Sequence, residues 1–173
     1  MACDKITFRR ATEEDLLKLA EIEMDAGELL RDHDLDNVAD ILVSPEDYAD
    51  SLSGDAIIHL ACDGQNQPVG FALCFPVDGE GHLKELSVLR AYMKRGIGRK
   101  LIEETICWAK NSGFAYLTLT TYRDLSFNAP LYEKLGFQAF EPRSNWPNLR
   151  AIRESERKRG LDVKPRIAMK LAL

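Results

Sequence analysis

The sequence predicts a mixed α/β (α+β) fold: a twisted mixed sheet of about six to seven strands flanked by helices, with a βαβ unit at its centre. Three observations carry that expectation. Two near-continuous apolar runs, 56–62 and 69–75, are joined by DGQNQP, a hairpin signal, and their lack of alternation implies a sheet covered on both faces. Next, a strand-like stretch over 82–89 empties through a basic, glycine-bearing turn into a segment with a helical apolar period. Beyond that helix, residues 116–121 alternate again, and a helix connecting two neighbouring strands makes them parallel.

From the start of the chain, Ile6 and Phe8 alternate with polar neighbours as a half-buried strand, and Thr12 is placed to cap a helix of about four turns. On that helix Leu16, Ala20, Gly27 and Leu30 form one stripe, with Glu23 in its middle. A carboxylate on an apolar face is costly to bury without a partner, so Glu23 reads either as a salt-bridged glutamate or as a ligand for an amine. Asp32, His33, Asp34, Asp36 and Asp40 follow as a solvated acidic run. No metal is assigned there, because too few imidazoles or thiolates stand at ligand spacing. Ser44-Pro45-Glu46 opens a short helix through Tyr48 and Leu52, with Ser44 as cap and Pro45 in first position.

Asp78-Gly79-Glu80-Gly81 is a turn, which makes 82–89 the third consecutive antiparallel strand. In it Leu86 and Val88 point one way, and Leu83, Glu85 and Ser87 the other. In the next helix Ile97, Leu101, Thr105, Trp108 and Ala109 recur on one side, Arg99, Glu103, Glu104 and Lys110 on the other, and Gly113 ends it. Within 123–140, Asn128 is an N-cap, Pro130 sits in the first turn and Gly136 closes a helix before another strand. Residues 149–159 read as a heavily charged, solvated helix that Gly160 ends, and Ile167, Met169 and Leu171 alternate in a last strand over 166–171. With no repeats or linkers, residues 1–173 are expected to form a single domain.

Composition narrows the function classes. Apolar residues are 45% and charged residues 29% of the chain, as in an ordinary globule, and no apolar run approaches the ~20 residues that span a bilayer. MACDKITFRR passes straight into a strand pattern without a targeting segment, so a cytoplasmic location and no membrane partner are expected. A net charge of −5 argues against a general nucleic-acid binder. Cys3, Cys62, Cys74 and Cys107 show no metal-ligand spacing, and the last three lie in apolar runs like small hydrophobes, which suits reduced thiols.

The chemistry is concentrated at residues 84–111. Lys94, Arg95, Arg99 and Lys100 crowd the start of a helix, where the dipole prefers acids. A phosphate against first-turn backbone amides would turn that repulsion into attraction, and Gly96 and Gly98 allow its close approach. A dinucleotide fingerprint needs a third glycine where Leu101 stands, and Thr118 occupies the position nearest to the expected acidic residue, so NAD is disfavoured. A Walker loop needs Gly-Lys-Ser/Thr, but Gly98 is followed by Arg99 and Lys100, so ATP is disfavoured too. What remains is a pyrophosphate held by amides and basic side chains without a metal.

Here Met93-Lys94-Arg95-Gly96-Ile97-Gly98 resembles the acetyl-CoA loop Gln/Arg-x-x-Gly-x-Gly/Ala of the GNAT N-acetyltransferase superfamily, with Met93 departing from the usual Gln or Arg. LYEKLGF, 131–137, is similar to a second family motif at the proper distance. TTYRDLSFNAPLYEKLGF also resembles a bacterial-type branch with an Asn-Ala-Pro-aromatic helix start. The resemblance covers nearly the whole chain and implies a GNAT-like sheet whose central βαβ unit binds acetyl-CoA. It implies that acetyl-CoA lies along Leu86, Ser87 and Val88, with its pyrophosphate on residues 94–99 and Met93, Lys100, Thr120 and Asn128 completing the cofactor side. Tyr132 corresponds to the family tyrosine that protonates the leaving thiolate, and Glu85 to a catalytic glutamate. Glu23, Gly27 and Glu85 are expected to line the acceptor site, with His82 and Glu23 as fallback bases. The implied activity is transfer of acetyl to a primary amine of a small molecule by direct attack. The alternatives are a protein amino group, or a non-catalytic acyl-CoA-sensing module. A homodimer is compatible with either.

Overall fold

A computed structural model describes residues 5–173, so Cys3 lies outside the described residues. Seven strands, β1 (Thr7–Arg10), β2 (Ile57–Cys62), β3 (Pro68–Val77), β4 (Glu80–Val88), β5 (Tyr116–Tyr122), β6 (Gln138–Phe140) and β7 (Arg166–Ala172), form one sheet in the order β1-β2-β3-β4-β5-β7-β6. The β4–β5 pair is parallel, with His82 opposite Thr118, as the intervening helix requires. The helices are α1 (Leu16–Gly27), α2 (Asp36–Ala39), α3 (Glu46–Ser53), α4 (Ile97–Asn111), α5 (Ala129–Glu133) and α6 (Pro147–Lys158). Among the described residues no helix is long and apolar enough to cross a membrane. By contacts the chain divides into two compact units, one holding the chain up to Phe75 with Glu85–Thr105, the other Pro76–Lys84 with Ile106–Leu173.

In the first unit every residue of β2 is buried, as its continuous apolar run implies. One face of β2 and β3, through Ile58, Leu60, Phe71 and Leu73, packs on Leu19 and Ile22 of α1 and Tyr48 of α3. The expected stripe of Leu16, Ala20, Gly27 and Leu30 is corrected: Leu19, Ala20 and Ile22 are buried, whereas Leu16, Gly27 and Leu30 are half-buried. The cause is that the α-helical turns stop at Gly27. A 3₁₀ segment, Glu28–His33, follows at three residues per turn and carries Leu30 off the stripe. The helix also starts late, behind a 3₁₀ turn over Glu13–Asp15. There the Asp15 carboxylate accepts from the Thr12 amide at 2.8 Å and from both Nη atoms of Arg9, each at 2.8 Å. Those bonds, the Arg9 bond foremost, hold the Asp15 carboxyl below its ordinary range.

In the second unit β7 lies between β5 and β6, pairing antiparallel with both. α6 is not the purely solvated helix expected from 149–159, because Leu149 and Glu156 are buried. Asp78, in the left-handed region at φ 55°, accepts the Asn148 and Leu149 amides at 3.0 and 2.9 Å and so satisfies the first turn of α6. Cys62 and Cys74 are buried as small hydrophobes, but Cys107 is exposed, which corrects its placement in a covered run. It falls on the outer side of α4, two residues before the buried Ala109.

Candidate functional site

The turn between β4 and α4 is built from alternating backbone hands. Lys94 at φ 60° and Gly96 at φ 79° are both left-handed, and only at Gly96 does this come without a side-chain penalty. Nothing lies within 4 Å of where a Gly96 Cβ would stand, and a Gly98 Cβ would meet only Val88 Cγ2, at 4.0 Å. Lys100 is the first residue to donate back along the helix, to the Gly96 carbonyl at 3.1 Å. The amides of Ile97, Gly98 and Arg99 therefore belong to the first turn, whose donors an α-helix cannot bond internally. Buried Ile97 and Leu101 fix α4 on the sheet, while Lys94, Arg95, Arg99 and Lys100 are exposed.

The cations at this turn are less uncompensated than their sequence suggests. Glu103 accepts from Lys100 at 2.7 Å and Arg99 at 3.1 Å, and Lys100 before Arg99 draws its carboxyl below the usual range. Arg95 donates to the Ala91 carbonyl at 3.0 Å and stacks 4.8 Å over the Tyr92 ring. Half-buried Met93 ends the short turn that precedes them.

On β4, Glu85 and Ser87 share a face, as alternation predicts: the Ser87 hydroxyl donates to Glu85 Oε1 at 2.8 Å, and the Leu86 amide to the same oxygen at 3.1 Å. Leu86 is half-buried, and Ser87 and Val88 are buried. Elsewhere in the unit Glu23, half-buried on α1, accepts a hydrogen bond from the Tyr48 hydroxyl. Tyr48 is only 3% exposed and stands edge-on to Phe71 at 5.6 Å. Burial first, then the charges of Glu23 and Glu85, push its hydroxyl well above the ordinary tyrosine range, so it remains a neutral donor. Sequence reasoning gave Tyr48 no part here, because a tyrosine on a short helix carries no signal of its partner. Gly27 closes α1, with nothing within 4 Å of its Cβ position.

The second unit holds Tyr132, Asn128 and Thr120. Tyr132 is buried on α5, edge-on to Phe137 at 5.6 Å, and its amide donates to the Asn128 carbonyl at 3.2 Å. Asn128 stands at the N-cap position as expected but caps nothing with its side chain. Its Nδ2 instead donates to Thr121 Oγ1 at 2.8 Å, tying the start of α5 to β5. The Thr120 hydroxyl donates to buried Glu156, which also pairs with Arg166 at 3.0 Å and with Arg153. Arg166 stacks on Tyr122 at 4.5 Å, and Arg153 reaches Asp162 at 3.3 Å. The Arg153–Glu156 spacing was visible in the sequence; the Thr120 contact was not, since it joins residues 36 apart.

His82 is 2% exposed, with Nδ1 at 2.9 Å from Thr118 Oγ1. Because that hydroxyl gives its proton to the Gly81 carbonyl at 3.1 Å, it accepts from His82, which fixes the proton on Nδ1. Burial lowers the ring pKa from 6.5 to about 4, and His59 on β2 is lowered to about 4 by burial and then by Arg10. A folded-state pKa below the unfolded one means that the unfolded chain binds the proton first. The stabilisation is complete above pH 6.5, declines as pH falls towards 4 and levels off below. At 1.36 kcal/mol per unit, His82 alone accounts for about 3 kcal/mol across that window. Denaturant unfolding at pH 7 and pH 4.5 is expected to show this loss, and His82→Asn should reduce the slope. An unchanged slope in the variant would remove His82 as its source.

Parallel β4 and β5, joined through α4, make a βαβ unit whose connecting turn carries Gly96, Gly98 and four exposed cations. The model of the acetyltransferase (GNAT) family matches residues 18–137, and the chain belongs to that family. Its sequence is similar to the ribosomal protein bS18-alanine N-acetyltransferase of Haemophilus influenzae, 32% identical over 93 residues, which are 54% of this chain and 63% of that relative. The chain thus spans under two thirds of that relative's length. Its fold is shared by solved structures, among them two N-acetyltransferases. One is the ribosomal-protein-S18-alanine N-acetyltransferase of Escherichia coli, with TM-score 0.70 and 20% identity over 97% of this chain and 94% of that one. The other is the PaiA N-acetyltransferase of Thermoplasma acidophilum in complex with coenzyme A, with TM-score 0.69 and 17% identity over 98% and 99%.

Proposed function

We propose that this chain is an acetyl-CoA-dependent N-acetyltransferase, a single catalytic domain over residues 1–173, that moves acetyl to a primary amine by direct attack on the thioester. The observation that carries this reading is the turn of residues 93–98, where a left-handed Gly96 leads into three first-turn amides ringed by four exposed cations. A pyrophosphate fits that arrangement: donors and positive charge converge where no Cβ stands in the way. Lys94, Arg95, Gly96, Ile97, Gly98, Arg99 and Lys100 hold the pyrophosphate, with Met93 beside it. Leu86, Ser87 and Val88 run along the pantetheine arm and present backbone amides to the developing oxyanion. Thr120 and Asn128 contribute from β5 and the start of α5, Thr120 through its backbone because its hydroxyl is engaged by Glu156.

Glu85 takes the proton of the acceptor ammonium, and the freed nitrogen attacks the carbonyl carbon. The C–S bond breaks, and the thiolate takes a proton from Tyr132. Glu23, oriented by Tyr48, and Gly27 line the acceptor side with Glu85. An acidic acceptor side suits a small cationic amine. A second reading, a protein α-amino group as acceptor, is favoured by the relative named for the alanine of a ribosomal protein.

Acetyl-CoA at about a hundredfold over its dissociation constant should raise folding stability by ~2.7 kcal/mol through mass action, with much smaller shifts for NAD and ATP. Gly98→Val, whose new methyls would occupy the phosphate approach, should keep the fold and lose the shift. A null thermal shift at saturating acetyl-CoA sinks the whole assignment. Thiol release measured across a panel of small amines and of peptides with a free amino terminus then chooses between the acceptors. Tight binding with no release under any amine would leave a sensing module instead.

A further inference from the structure

The second unit contains a groove of about 1050 Å³ between the end of β6, the start of β7 and α6, and none of the residues assigned above to acetyl transfer lines it. Its floor is apolar, from Phe140, Pro142, Ile167 and Ala168. Its wall is basic. Arg150, Arg153 and Arg157 follow one another at i, i+3 and i+7, a single stripe of α6, and Arg166 adds a fourth guanidinium from β7. Arg153 and Arg166 are largely buried and held by Glu156, with Asp162 3.3 Å from Arg153, and Glu154 pairs with Arg157 at 2.7 Å. Arg150 is exposed and makes no ion pair among the described residues, and Arg157 is 61% exposed. The surroundings are basic as well, with nine Lys and Arg against three Asp and Glu in residues 143–170, a net +6 in a chain of net −5.

We propose that this groove binds an acidic peptide segment of a partner protein. An apolar floor beside the exposed guanidinium groups of Arg150 and Arg157, backed by buried Arg153 and Arg166, matches an extended chain that alternates apolar side chains with carboxylates, which arginine receives in bidentate fashion. A polynucleotide suits it less well, because the floor is mainly aliphatic and offers one aromatic ring, Phe140, for base stacking. Docking here is separate from acetyl transfer, so its test needs neither acetyl-CoA nor turnover.

The experiment is fluorescence anisotropy of a short labelled peptide alternating glutamate and leucine, at ~10 mM and ~300 mM salt, where the screening length differs several-fold. Binding is expected at low salt and should weaken at high salt. Arg150→Glu should weaken it roughly tenfold, since reversing an exposed charge turns a close attraction into a repulsion. Arg157→Glu should add to that loss. Lys110→Glu, exposed on α4 away from the groove lining, should leave affinity unchanged, and circular dichroism checks that each variant is folded. Absence of binding at low salt, wild-type affinity in folded Arg150→Glu, equal affinity for a lysine–leucine peptide, or tighter binding of a single-stranded RNA oligomer would each overturn the proposal.

Discussion

Replacing Tyr132 by phenylalanine is expected to lower acetyl transfer by about 10²–10⁴-fold, the range for a positioned acid or base, with CoA affinity nearly unchanged. The ring is 7% exposed and packed edge-on against Phe137, so phenylalanine keeps its contacts and the start of α5 stays in place. What is lost is the hydroxyl. Without it the thiolate leaves unprotonated, and that penalty does not depend on the protonation state of the acceptor amine. The deficit should therefore persist at high pH. Thiol release followed from pH 6 to pH 10 measures it, and a fully active variant would take the tyrosine out of the mechanism.

Glu85→Gln should behave differently, with a loss of about 10²-fold that is deepest at low pH. Glutamine keeps the size of the side chain and an oxygen that can accept from the Leu86 amide and the Ser87 hydroxyl, so the strand is not disturbed. An alkylammonium with pKa ~10 has no lone pair at neutral pH, and without a base it reacts only through its small neutral fraction. As pH rises that fraction grows, and kcat/KM of the variant should approach that of the parent. An equal deficit at every pH would make Glu85 an acceptor-binding group. Glu23, held by Tyr48, would then be the next carboxylate to replace.

The strands, α4 and the basic turn were legible because each rests on local pattern: alternation, a 3.6-residue period, or a turn dipeptide such as Asp78-Gly79. The parallel β4–β5 pair followed from the helix between them. The position of β7 between β5 and β6 did not, since pairing partners are chosen by tertiary packing that no window of sequence contains. The same limit hid the Tyr48–Glu23 bond and the Thr120–Glu156 bond, each formed between residues far apart in the chain. The stripe on α1 was misplaced for a local reason, the switch to a tighter helix after Gly27, which the apolar spacing of Leu30 disguised. At the start of α4 the sequence places Arg99 and Glu103 on one side of the helix, but the two short bonds by which Glu103 holds Arg99 and Lys100 depend on side-chain rotamers that spacing alone does not choose.

The insertion of β7 between β5 and β6 also has a temporal side. Its residues lie about fifty positions after those of β5 with which they pair, a separation that makes loop closure slow compared with a hairpin. During synthesis β5 leaves the ribosome long before β7 exists, and β6 has no other strand in the final order to pair with. One border of β5 and both borders of β6 are then open to pairing with other chains while α6 is still being made. The stretch that separates β6 from β7 in the chain is dense in charge, with eight Lys and Arg against three Asp and Glu over residues 143–166, and charge beside an unpaired strand is the residue type that disfavours its association with other chains.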